Sequence, residues 1–220
     1  VEYFFRLLFS GLTRGSIYAL LALGYTMVYG IIQLINFAHG EIYMIGAFTA
    51  LIVASVLSIF GMPVLAIFVL ASLVALLYSS AYGFTIEKVA YKPLRRAPRL
   101  SVLISAIGMS LFLQNYVLLA QTSNFLPFPE ILPTLRIPEA WTDVITAPQI
   151  IIFAVTAVVM VLLTLLIKFT RIGKSMRATS QDRTMAMLVG INVNRVISYT
   201  FIIGSFTAAL GGILISSYIG

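Results

Sequence analysis

The stretch GSIYALLALGYTMVYGIIQLINFAHGEIYMIGAFTALIVASVLSIF, residues 15–60, runs 46 residues with one acidic side chain, Glu41, and no lysine or arginine. A hydrocarbon layer ~30 Å thick takes roughly 20 helical residues to cross, so this run is long enough for two membrane spans. Its polar groups Gln33, Asn36, His39 and Glu41 gather where the two spans join. Lipid penalises such groups, which therefore turn toward protein or a pathway.

Working outward, apolar runs bounded by charges or turn residues give six spans. They cover Gly15–Phe37, Ala38–Phe60, Pro63–Ile86, Leu100–Gln121, Pro148–Lys168 and Val196–Ile219. Residues 3–10 read as a short amphipathic approach lying at the interface. The fold class is thus all-α, a polytopic transmembrane helix bundle, with residues 1–220 forming one domain. Hydrophobic residues make up 60% of the chain and charged residues 10%, far from the ~25% charged of a soluble domain. No leader with a small-residue cleavage site is evident at the start.

Charge sets the orientation. Five basic residues lie between Lys88 and Arg99 and six between Lys168 and Arg195. Such clusters beside apolar spans mark cytoplasmic loops, and no aromatic platform accompanies them to suggest nucleic-acid binding. Residues 122–147 carry three acids, one arginine and four prolines and read as an external loop. Residues 169–195 are the second cytoplasmic loop. Counting back from residue 87 places the N-terminus, with Arg6 and Arg14, outside; otherwise the region Asn36–Glu41 is broken or re-entrant, which irregular backbone lining a cavity permits.

Three constellations stand out. Tyr18, Tyr25, Tyr29, Gln33 and Asn36 fall on one face of the first span at ~100° per residue. This stripe is either a hydrogen-bonded seam between helices or the lining of a pathway. Gly204, Ala208, Gly212, Ser216 and Gly220 repeat every four residues on the last span, a groove that lets another helix approach closely, within the chain or from a second subunit. His39 and Glu41 form an H-x-E pair, but the chain has one histidine and no cysteine, too few ligands for a metal site. A proton-coupled secondary transporter using that pair stands as an alternative. No G-x-x-x-x-G-K-[ST] loop is present to bind ATP.

In the second basic loop, Ile172, Met176, Met185 and Leu188 alternate with Lys174, Arg177 and Arg183. That pattern suggests a cytosolic helix ended by Gly190 and Asn192. It can dock in a groove of a soluble partner or rest on anionic membrane lipid.

Segments 11–48 (GLTRGSIYALLALGYTMVYGIIQLINFAHGEIYMIGAF), 86–117 and 173–192 (GKSMRATSQDRTMAMLVGIN) resemble the Liv-type permeases of branched-chain amino-acid ABC importers. The N-F-A-H-G-E stretch is the specific part of the likeness, which covers the chain apart from loop 121–149. The resemblance implies a non-catalytic transport subunit in a bacterial inner membrane, working with a second permease in a heterodimer. It also implies soluble ATPase subunits that carry ATP and Mg, and an extracytoplasmic substrate-binding protein. It assigns the ATPase-contacting helix to Ser175–Gly190, with Ala178, Asp182, Ala186 and Gly190 as motif positions. Gln181 departs from the acidic residue common beside Asp182. Family members normally continue past the last span seen here, so further C-terminal spans are expected to be absent. Urea and short-amide permeases share these motifs and form the alternative substrate class.

Overall fold

The computed structural model describes residues 2–95, 97–121, 126–129 and 145–219. Six helices in it are long and apolar enough to cross a membrane. They are α1 (Glu2–Ile32), α2 (His39–Ile59), α3 (Val64–Ile86), α4 (Arg99–Ala120), α5 (Ala147–Phe169) and α8 (Val193–Ile219). A π-helical turn, Glu87–Tyr91, prolongs α3. Two short helices, α6 (Arg171–Gln181) and α7 (Arg183–Leu188), stand between α5 and α8. Among the described residues there is no strand. Most of the expected external loop 122–147 lies outside the described residues, as does Gly220.

Two expectations about the front end change. Residues 3–10 do not form a separate interfacial segment but are the first turns of α1. The first span stops at Ile32, not Phe37, because Gln33 takes a left-handed backbone with φ of 56°, a conformation a non-glycine side chain rarely adopts. Chain direction then resolves the count of crossings. The ends of α1 and α5 and the start of α8 meet the basic loops, while Ser10, Gln149 and Tyr218 hydrogen-bond at the opposite end. Three crossings precede residue 87, and Arg6 and Arg14 lie on the half of α1 remote from those loops.

The core is built round α8. Of its most apolar stretch 56% is buried, against 11% for α5, so α5 gives most of its surface to the surroundings. In a bilayer, association depends on close van der Waals packing, because lipid tails are as apolar as leucine. Small residues supply the closeness. A Cβ added to Gly24 would fall 2.8 Å from the Gly204 carbonyl, and one on Gly46 would fall 2.6 Å from the Ala209 Cα. Gly83 meets Ser205 in the same way. Thus Gly204, Ala208 and Gly212 of the small-residue stripe face α1 and α2 of the same chain, with Ser216 half-buried beyond them.

Candidate functional site

The second basic loop is two helices, not the single one expected over Ser175–Gly190. Asp182 leaves helical geometry at φ −151° and ψ 115°, and its carboxylate accepts from the amides of Thr184 (2.7 Å) and Met185 (3.0 Å). It therefore ends α6 and caps α7, the usual part of an aspartate at a helix start. Ala178 supplies the carbonyl for the last bond of α6. At the far end, the Ile191 amide donates to the Ala186 carbonyl (2.9 Å) and the Gly190 amide to Met187 (3.0 Å). Gly190 has φ 84°, so this is a Schellman ending that only glycine enters without strain. Ala186 is buried while Met185, Met187, Leu188 and Val189 are exposed. The motif positions thus shape α7, and an apolar tip stands out from the end of the bundle that carries the basic loops.

A side chain with no sequence signal ties this tip to the spans. The last carbonyls of α1 have no cation of their own helix beside them. Arg183 at the start of α7 donates to Ile31 O at 3.0 Å and to Ile32 O. A cation at a helix C-terminus satisfies orphan carbonyls and complements the helix dipole. Burial, and then the nearby Arg95, push the Arg183 pKa below the ordinary arginine value. Arg177 caps α5 likewise through Ile167 O and Lys168 O. Between α1, α7 and the first basic loop lies a cavity of about 470 Å³, lined by Gln33, Arg95, Arg99, Asp182 and Arg183.

Beyond the Arg183 clamp the chain turns back into the bundle. Asn36 is buried and accepts from the Tyr91 hydroxyl at 3.0 Å, while its amide nitrogen has no partner among the described residues. His39 is 2% exposed. Its Nε2 lies 3.2 Å from Leu21 O, and its ring sits edge-on to Tyr25 at 5.9 Å. Leu21 lies eleven residues before the end of α1, ~16 Å along the axis, so α2 starts inside the bilayer. The break at 33–38 therefore turns the chain back alongside α1.

The tyrosine stripe needs correction. The buried face of α1 carries Thr13, Ile17, Leu20, Gly24, Val28 and Ile31, roughly 120° round the helix from Tyr18, Tyr25 and Tyr29. Tyr18, Tyr29 and Gln33 are exposed, and Tyr25 is half-buried. None of the three hydroxyls has a hydrogen-bond partner among the described residues, so among these the stripe forms no seam. Asn36 does not share it, since the helix has already ended.

Nor do His39 and Glu41 act together. Glu41 turns to α4, where its Oε1 accepts from Ser110 Oγ (2.9 Å) and Gln114 Nε2 (2.8 Å). The pair makes no hydrogen bond or ion pair, and no group of three metal-ligating side chains exists among the described residues. A carboxylate missed by the sequence reading is Glu87, fully buried in the π turn. It pairs with Arg95, lies 3.6 Å from Lys88 Nζ and accepts from Ser198 Oγ at 2.9 Å. Arg95 also bonds Asn194 at the start of α8. One acid beside five bases was the available signal.

Residues 7–220 match the family described as branched-chain amino acid transport system, permease component. The chain is 46% identical over 222 residues to the high-affinity branched-chain amino acid transport system permease protein LivH of Salmonella typhimurium, covering 99% of this chain and 72% of that protein. The same figures hold for LivH of Escherichia coli. The permease protein BraD of Pseudomonas aeruginosa is 46% identical over 224 residues, all of this chain and 73% of its own. No solved structure matches.

Proposed function

The chain belongs to the permease-component family of branched-chain amino acid transport systems, and from that premise we propose how it works as the membrane subunit of an ATP-binding-cassette importer. It is a multi-pass membrane protein and a transport subunit; its cargo is leucine, isoleucine and valine, the class its relatives are named for. That naming favours amino acids over urea or short amides. The separation of His39 from Glu41 speaks against the proton-coupled alternative. We assign it to a bacterial inner (plasma) membrane, beside a second permease in a heterodimer and an extracytoplasmic binding protein. ATP and Mg bind the partner ATPase, leaving this chain without a catalytic role.

The observation that carries the coupling mechanism is the Arg183 clamp on Ile31 and Ile32. In this reading the exposed Met185, Met187, Leu188 and Val189 seat in a groove of the ATPase. A helix offered this way docks through its apolar side chains. Movement of the ATPase shifts α7, and Arg183 hands that shift to the end of α1. The residue after that end is Gln33, where the break leading to Asn36 and His39 begins. The lever thus acts on the irregular backbone, where discontinuous helices line substrate pathways. Tyr18, Tyr25, Tyr29 and Gln33 would face that pathway or the second permease.

The test uses the absence of native cysteine. Met187→Cys in the assembled transporter is expected to crosslink to the ATPase, with leucine uptake into proteoliposomes requiring ATP hydrolysis. Crosslinks to phospholipid alone, or uptake driven by a proton gradient without ATP, would overturn the proposal.

A further inference from the structure

The assembly of Glu41 with α4 was not legible in the sequence and has no part in the coupling mechanism above. Glu41 stands in the first turn of α2, itself within the bilayer. Its α4 partners Ser110 and Gln114 lie eleven and fifteen residues after Arg99, ~16–22 Å from the cytoplasmic end of α4. That depth is well inside a hydrocarbon core ~30 Å thick.

Only one carboxylate oxygen is occupied. Oε1 accepts both hydrogen bonds, and Oε2 accepts none among the described residues. No lysine or arginine among the described residues pairs with Glu41, in contrast to Glu87, which has two cations. The carboxylate is also not sealed in: Glu41 is half-buried, and Gln114 beside it is exposed. An acid at this depth is expensive against lipid and finds a partner or water.

The surroundings define a ligand. Ile107, Ser110, Leu111 and Gln114 fall at i, i+3, i+4 and i+7, hence on one side of α4. Ile107 and Leu111 are 40% and 53% exposed. A half-buried carboxylate without a cationic partner among the described residues thus shares this face with two branched apolar side chains. Resting on the amino-acid importer reading, we infer that Glu41 receives the ammonium group of the substrate, with Ser110 and Gln114 fixing the carboxylate and Ile107 and Leu111 meeting the aliphatic tail. The ligand class is a primary ammonium carrying a branched aliphatic chain. The amine supplies the positive charge that no side chain of the described residues gives Glu41.

The test compares two inhibitors of the same shape in proteoliposomes holding the complete transporter, its binding protein saturated with leucine. One is 3-methylbutan-1-amine, a cation at neutral pH; the other is 3-methylbutan-1-ol. The amine is expected to halve ATP-driven leucine uptake at about tenfold lower concentration than the alcohol, as a charge-assisted hydrogen bond implies. Glu41→Gln brings the two to near equality. Gln114→Ala, at an exposed position, narrows the gap, which keeps the test open should the first variant fail to assemble. Equal potency in the unaltered transporter, or an undiminished gap in both variants, overturns the assignment. Leucine uptake with equal potencies sinks this inference alone; no ATP-driven leucine uptake at all sinks the importer reading.

Discussion

Replacing Arg183 by glutamine removes the link between α7 and α1 while leaving the apolar tip intact. The guanidinium makes two charge-assisted bonds, to Ile31 O at 3.0 Å and to Ile32 O. Such bonds stabilise by about 1.5–3 kcal/mol each, but both come from one nitrogen and the side chain is partly exposed. Solvent screening reduces the pair to about 2 kcal/mol in total. At ~1.4 kcal/mol per factor of ten, that weakens the mechanical link about 30-fold. The assay is leucine uptake measured against phosphate release in the same proteoliposomes. Arg183→Gln is expected to keep ATP hydrolysis near its normal rate and to cut leucine moved per ATP by about tenfold or more. Arg183→Lys falls between, because an ammonium keeps the charge but lacks the rigid, planar presentation of donors that the guanidinium gives. Unchanged uptake per ATP in Arg183→Gln would refute the reasoning.

Gly190→Ala forces a Cβ into a left-handed position, costing about 1 kcal/mol; α7 should fray, and a Met187→Cys crosslink to the ATPase should form several-fold more slowly. Glu87→Ala leaves Arg95 and Ser198 without their shared partner, a loss of about 1–3 kcal/mol, read as a lower unfolding temperature in detergent with native insertion. Gly83→Val drives a side chain into Ser205 and should separate α3 from α8, seen as protease sensitivity of the folded bundle. Tyr29→Phe should leave thermal stability of the isolated subunit within about 0.5 kcal/mol, since its hydroxyl bonds nothing among the described residues; a larger loss would return the stripe to an internal seam.

The spans were legible because bilayer thickness imposes a length that apolar runs display directly. The basic loops were legible because charge bias needs no tertiary information. The break after Ile32 was only half visible: Gln33 and Asn36 sit at positions a helical projection accepts, and carrying that projection past Ile32 put Asn36 on a stripe it never joins. Which side of α1 faces inward was hidden too, because glycine contacts decide it and those depend on α8, far along the chain. Asp182 carried a readable cap signal before Arg-Thr-Met, yet the amphipathic pattern through it argued for one continuous helix. Arg183 could not be found this way, since its partners are 151 and 152 positions distant.

The central place of α8 bears on how the chain is made. The close approaches at Gly24, Gly46 and Gly83 are all completed by α8. Until the ribosome has delivered Val193–Ile219, five spans occupy the membrane with their narrowest seams unfilled and a buried acid, Glu87, missing its serine. These seams therefore close together only once α8 is in place, and a messenger cut short before that helix yields inserted polypeptide for quality-control proteases to clear.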